Sequence, residues 1–373
     1  MTKVYKIADH AVTPLASGSE ENFNAVLEGK SNLKLHEGTF GVKEPFFASL
    51  FDREEIMRNA ENEGIRGYSF FETILILACK GAIEKSGIDA SSSDTVFVIS
   101  TIKGNVEALG EGSKDVLPAT SARRVAEFFH NPNSPVTVSN ACISGLAALI
   151  QGQRILRRGG ARNVVVAGAE LQSAFIVTGF QSLKALSPTQ CMPFDASREG
   201  LNLGEAAAAM VLGTSETDWE LDGGAIRNDA NHISGPSRVG EGSYNCLRAV
   251  VQDKDELAFI SVHGTSTAYN DEMESIAIER AGLLDIPAGA LKGFYGHTMG
   301  AAGILETIVS MKAVENGVVI GTRGFSGNLG VSRPVKIDRE NRKTTKQAFV
   351  KLLSGFGGVN AALLCRRKTG GAK

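Results

Sequence analysis

Cys142 is the residue of this chain most readily read as a nucleophile. It lies in the segment VTVSNACISG, where a β-branched run at 136–139 meets a sharp turn and then a helical pattern that begins at Ser144. Unpaired N–H groups and the positive dipole end at a helix start favour a thiolate, which is the attacking form of cysteine. The same N–H groups can hold an oxyanion. On local sequence alone Cys142 reads equally well as a small buried hydrophobe, since free cysteine is among the most buried residue types. Two histidines are placed to act with it. His263, in VHGTST, ends a strand-like run and opens a turn rich in hydroxyls, Thr265 and Thr267 among them. His297, in KGFYGHTMGAAG, lies in a loop of small residues that precedes a helix. The glycines there explain close backbone packing, but not why Lys292 and His297 occur together. Each motif alone is modest; a cysteine and two histidines in separate glycine-flanked loops make a candidate catalytic set.

Two more segments belong near them. Gly355-Phe356-Gly357-Gly358 joins two strand-like runs and reads either as a hairpin turn or as a gate whose aromatic covers the site. PFDASREG at 193–200, followed by GEAA at 204–207, reads as a structural loop entering a strand.

The elements that must position these loops alternate in type. Buried-strand runs occur at 95–100, 163–169, 206–212 and 257–262, and a closing pair at 346–353 and 359–365. Helical patterns cover 70–86, ending at a capping Gly87, then 144–158, 271–281 with an acidic first turn, and 301–315. The alternation predicts α/β layers. Each half runs strand, loop with a reactive residue, helix, strand, a weak sign of duplication. A boundary falls near 213–222, giving an N-terminal half at 1–215 with the cysteine and a C-terminal half at 216–373 with both histidines. The C-terminal RRKTGGAK reads as a disordered tail.

Composition narrows the class. The chain has 373 residues, 43% hydrophobic and 21% charged, which is globular and not intrinsically disordered. A net charge of -2 gives no global attraction to nucleic acid or to an anionic membrane. The five cysteines are widely spaced with no CxxC pair, so neither a disulfide framework nor a zinc site is expected. The start, MTKVYKIADHAV, has no secretory h-region and no stretch reaches a membrane span, so a cytoplasmic enzyme is expected.

At these residues the chain resembles the β-ketoacyl-acyl-carrier-protein synthases of the thiolase superfamily. NACISG around Cys142 is similar to that family's cysteine motif, HGTST at His263 to its first histidine motif, and GHTMGAAG at His297 to its second. Lys292 five residues before that histidine, Glu306 nine after it, the GFGG loop, and PFDASREG with GEAAAAMVL also match. The order and spacing agree over nearly the whole chain. The N-terminal strand departs from the family pattern at Asp9 and His10, and 32–67 is trimmed or rewritten, which bears on acyl pocket and carrier contact. The segment 180–205 is reminiscent of synthases from aryl-polyene clusters.

The resemblance implies an α/β thiolase fold of five α-β-α-β-α layers with two similar halves. It implies a ping-pong decarboxylative Claisen condensation of an acyl thioester with malonyl-carrier protein. Cys142 would be acylated, with its own N–H and that of Phe356 as oxyanion donors and Phe356 and Gly357 forming the gate. His263 and His297 would support decarboxylation, Lys292 and Glu306 would support the histidines, and Thr265 and Thr267 would contact substrate. No metal or organic cofactor is implied, since phosphopantetheine arrives on the acyl carrier protein. A homodimer is implied, with a heterodimer as the alternative; no nucleic acid or membrane partner is. Fatty-acid elongation is the main expectation, with an aryl-polyene or polyketide ketosynthase, or a chain-length partner subunit, as alternatives. A thiolase would use a second late cysteine in a different context from Cys365. A cysteine hydrolase would leave Lys292, His297 and GFGG unexplained.

Overall fold

A computed structural model describes residues 2–368 apart from 113, 230, 233, 234 and 236. The first half contributes β1 (Tyr5–Val12), α1 (Phe70–Ser86), β2 (Thr95–Ser100), α2 (Pro118–Phe128), β3 (Val136–Val138), α3 (Ser144–Arg157), β4 (Asn163–Glu170) and β5 (Ala206–Gly213). The second contributes β6 (Trp219–Asn228), α4 (Glu241–Val250), β7 (Leu257–Ser261), α5 (Ala268–Arg280), β8 (Pro287–Gly289), α6 (Ala302–Glu315), β9 (Ala348–Gly355) and β10 (Val359–Arg367). Strand order across the first half is β3-β2-β4-β5-β1, and across the second β8-β7-β9-β10-β6. The pairings match strand for strand: β1–β5 and β6–β10 are antiparallel, as are β5–β4 and β10–β9, while β4–β2 and β9–β7 are parallel. The weak duplication in the sequence is therefore a repeated topology. The halves join where Tyr5 and Lys6 pair with Glu220 and Trp219.

The layers follow from which elements are apolar all round. Helices α3 and α6 are buried along most of their length and pack against each other and against both half-sheets. They form the middle of five layers, and one core cluster spans residues of both halves around them. Helices α1 and α2 cover the outer face of the first half-sheet, and α4 covers that of the second, with α5 packed beside it. All eight residues of β5 are buried, so its small alanines accept helices on both faces. Where α3 meets α6, only glycine fits: a Cβ on Gly303 would lie 2.1 Å from the Leu146 nitrogen, and one on Gly145 2.9 Å from the Gly300 oxygen.

Local signals account for most helix bounds. Ser69 and Glu72 form a reciprocal capping box at the start of α1, and Gly87 ends it in the left-handed region at φ 67. Helix α5 starts at Ala268, three residues before the expected Asp271, because Thr267 takes the N-cap position with extended backbone. The rewritten stretch forms a small sheet, with Lys34–His36 and Phe46–Ser49 extended by Leu203–Gly204, and a helix over Arg53–Asn62. The expectation of a disordered RRKTGGAK tail is corrected in part: Arg366 and Arg367 belong to β10, where Arg366 pairs with Glu256 and Asp222. Residues 369–373 lie outside the described residues. Among the described residues no helix is long and apolar enough to cross a membrane.

Candidate active site

Cys142 sits between β3 and α3 on a turn in which Ala141 has φ 46. Ser144 fixes this turn: its hydroxyl accepts from the Asn140 N–H at 2.7 Å and donates to the Ala141 carbonyl at 2.6 Å. The β9–β10 connection closes on it so tightly that a Cβ on Gly355 would be 3.1 Å from the Cys142 nitrogen. The N–H groups of Phe356 and of Cys142 itself both donate toward the sulfur.

The turn after β7 in the second half carries His263. Two buried oxygens of Glu274 accept from the His263 and Gly264 N–H groups at 2.6 and 2.7 Å. This holds Gly264 at φ 51, a backbone region that favours glycine. His297 lies between β8 and α6, the counterpart of the Cys142 turn. Its Nδ1 accepts from the Met299 N–H at 3.3 Å, which leaves the proton on Nε2. Glu170, at the end of β4, accepts from the N–H groups of Ile102 and Gly300 at 2.9 and 3.0 Å and so ties this loop to the first half.

The three side chains converge. The Cys142 Sγ and one ring nitrogen from each of His263 and His297 lie within 4.8 Å of one another, and the two rings meet edge to face with centroids 5.1 Å apart. His263 Nδ1 and His297 Nε2 are buried without a hydrogen-bond partner among the described residues. The set lies at the base of a cleft of about 790 Å³ lined also by Phe180, Leu183, Thr265, Thr267 and Tyr269. Thr265 and Thr267 hydroxyls hydrogen-bond each other at 2.9 Å on its wall. Phe356 is 39% exposed at the mouth and stacks on Phe180 at 6.0 Å, while Gly357 follows at φ 86.

Charge in the site departs from the local expectation. Burial pushes the Cys142 thiol up to about 11, and Lys292 and the two N–H groups only partly oppose it. The helix start therefore does not give a resting thiolate. Burial, then Lys292, holds both imidazoles well below their ordinary range, so both are neutral. Lys292 Nζ donates to the His263 carbonyl at 2.7 Å and to Glu306 at 2.8 Å. Burial would raise Glu306, but two facing lysines outweigh it and hold the carboxyl low.

The second of those lysines, Lys351 on β9, was not anticipated, and neither were Glu170 and Glu274. A single charge inside the apolar run AFVKLLSG is a signal that could have marked Lys351. Burial raises Glu170 and Glu274 to about 7. In the PFDASREG loop Asp195 accepts from the Ser197 and Ser326 N–H groups at 2.9 and 2.7 Å, and Glu199 and Gly200 line the cleft.

Residues 3–218 match the family model of the beta-ketoacyl synthase N-terminal domain, and residues 219–326 that of the C-terminal domain. The chain belongs to the beta-ketoacyl synthase family. This synthase is 26% identical, over 95% of its length and 97% of the relative's, to a 3-oxoacyl-(acyl-carrier-protein) synthase 2 of Vibrio cholerae. It is 32% identical, over 68% of its length and 65% of the relative's, to the tetracenomycin polyketide synthase ketoacyl synthase alpha subunit of Streptomyces glaucescens. Its fold matches a chain of the ketosynthase–chain length factor complex from Xenorhabdus doucetiae, with TM-score 0.87, 23% identity and 98% of each chain covered. It also matches a beta-ketoacyl synthase from Burkholderia phymatum, with TM-score 0.86, 24% identity, and 99% of this chain and all of that one covered. The architecture is the thiolase fold, and the protein is a condensing enzyme.

Proposed function

We propose that this synthase extends a carrier-bound polyketide- or polyene-type acyl chain by decarboxylative Claisen condensation with malonyl-carrier protein, its halves meeting near residue 215. The observation that carries the reading is the convergence of Cys142, His263 and His297 within 4.8 Å at the base of an open cleft. Cys142 sulfur attacks the acyl thioester carbonyl, its proton leaves with the carrier thiol, and the acyl group rests on the cysteine. The Cys142 and Phe356 N–H groups, which already point at the sulfur, receive the oxyanion. Malonyl thioester then binds with its carbonyl toward the His297 Nε2 proton and His263. As carbon dioxide leaves, these donors stabilise the enolate, whose carbon attacks the acyl-cysteine and releases the sulfur as a thiolate, which takes a proton from water to restore the thiol. Thr265 and Thr267 bind the pantetheine arm, and Phe356 with Gly357 gates the cleft. The phosphopantetheine comes with the substrate.

Polyketide or polyene extension is favoured over fatty-acid elongation by structural neighbours named as ketosynthases with chain length factors. Those neighbours also favour a second subunit, either a copy of this chain or a related one. The test is to incubate the protein with malonyl-carrier protein and a panel of saturated and polyunsaturated acyl-carrier proteins and read intact masses. An acyl adduct on Cys142 and a β-ketoacyl product, with unsaturated acyl groups preferred, supports the reading. A preference for saturated chains returns it to fatty-acid elongation. No adduct and no product indicates a partner subunit.

A further inference from the structure

We propose that Lys351 is a positioning residue of the condensation site, fastening the strand that leads to the Phe356 loop onto the strand end that carries His263 and placing one net positive charge beneath both imidazoles. Lys351 is completely buried, the charged residue in a strand of otherwise apolar and small side chains. Its Nζ donates to the Ser261 and Val262 carbonyls at 3.1 and 3.0 Å, to the Ser261 hydroxyl at 3.2 Å and to Glu306 at 2.5 Å. Glu306 takes Lys292 on its other oxygen at 2.8 Å, and Lys292 also holds the His263 carbonyl. One carboxylate between two ammonium groups thus links three elements: β7 leading to His263, α6 following His297, and β9 leading to Phe356.

Two lysines against one glutamate leave a single positive charge. A Lys292–Glu306 pair alone would be neutral, so the excess comes from Lys351. The other titratable groups around the imidazoles are Glu274, which accepts from the His263 N–H, and Glu170, which accepts from the Gly300 N–H, both raised to about 7 by burial; Cys142 faces them as a thiol. Burying a charge in three-way contact is a poor way to gain stability alone, since apolar residues of equal volume often serve as well. It is an effective way to fix a field, because a preorganised charge in a dry site needs no reorganisation when an enolate forms. Burial first, then Lys292, and last Lys351 hold both imidazoles low.

The catalytic half of this inference rests on the reaction proposed above; the charge half does not. The variants are Lys351→Met, of similar length, and Lys351→Met with Glu306→Gln, which restores one positive charge but none of the Lys351 hydrogen bonds. Each is checked for fold by circular dichroism and for Cys142 accessibility by its alkylation rate. Malonyl-carrier decarboxylation and the NMR titration of the His263 and His297 ring protons are then compared with the wild-type protein. In Lys351→Met we expect alkylation within about twofold, decarboxylation reduced about tenfold or more, and both imidazole titrations moved upward by about one pH unit. In the double variant the titrations return toward wild type while decarboxylation stays low. A folded Lys351→Met that decarboxylates within about twofold of wild type, or one whose alkylation and decarboxylation fall in proportion, overturns the positioning role. Unmoved titrations overturn the charge placement. If the wild-type protein decarboxylates no malonyl thioester, the reaction assignment fails, and the titrations and alkylation rates still decide for or against Lys351.

Discussion

Replacing Gly303 with alanine should damage the site without touching any of its reactive side chains. Gly303 lies on α6, the helix that follows His297, where it crosses α3, the helix that follows Cys142. An alanine Cβ there would stand 2.1 Å from the Leu146 nitrogen, 2.6 Å from the Gly145 carbonyl carbon and 2.8 Å from the Leu146 Cα. All three are backbone atoms, so no side chain can swing away. Ordinary contact begins at 3.4 Å, and the helices must therefore part by about 1 Å in a core packed as densely as an organic crystal. Overpacking of this kind costs about 1–3 kcal/mol. Alanine's better helix propensity returns at most about 1 kcal/mol. Taking the upper end of that cost, because the clashing atoms are backbone, the net loss is about 2 kcal/mol, a few degrees of melting midpoint in a chain of this size. Activity should fall further than stability, because separating α3 from α6 separates Cys142 from His297, and a misplacement of about 1 Å can cost about 10²-fold. The assay is malonyl-carrier decarboxylation and condensation at a temperature where circular dichroism shows the variant fully folded. A variant that melts within about a degree of wild type and turns over within about twofold would show that the crossing does not set the site geometry.

His297→Ala should lower malonyl decarboxylation by about 10²–10³-fold, the effect of losing one oxyanion-type donor, while iodoacetamide alkylation of Cys142 changes far less; equal losses would remove the histidine from the decarboxylation step. Because both histidines are buried neutral and held well below 6.5, the stability they contribute is present above that value and lost as pH falls through and below it. Wild type is accordingly less stable at about pH 5.5 than at pH 7.5. The double variant His263→Asn/His297→Asn should therefore lose less melting midpoint than wild type between pH 7.5 and 5.5, and equal losses would contradict the neutral assignment.

What the sequence makes legible is what short-range chemistry controls. The bounds of α1 follow from Ser69, Glu72 and Gly87, all within the segment itself. The loops of Cys142, His263 and His297 are recognisable because a strand run, a turn and a helix start lie within a few residues of each. The convergence of these loops is another matter, since it depends on two half-sheets repeating one strand order and on α3 and α6 crossing through Gly145 and Gly303. The small residues at 296–303 signal a close backbone approach, but nothing along the chain names α3 as its partner. Lys351 escapes for the same reason: its carboxylate partner is 45 residues away and the carbonyls it caps are about 90 away.

Cys142 shows where a correct local signal loses. A helix start does favour a thiolate, and two N–H groups do point at the sulfur, yet burial lifts the thiol to about 11. Burial is set by how the β9–β10 loop and the two central helices close over the turn, and nothing in the motif measures it. The same burial keeps both imidazoles uncharged, so the three reacting side chains rest neutral above a cationic Lys292–Glu306–Lys351 cluster. In the proposed reaction negative charge appears first on the thioester oxygen and then on the enolate. A neutral set of donors over a fixed positive charge stabilises those two states more than it stabilises the resting site. A preformed thiolate would instead have spent that field on the ground state.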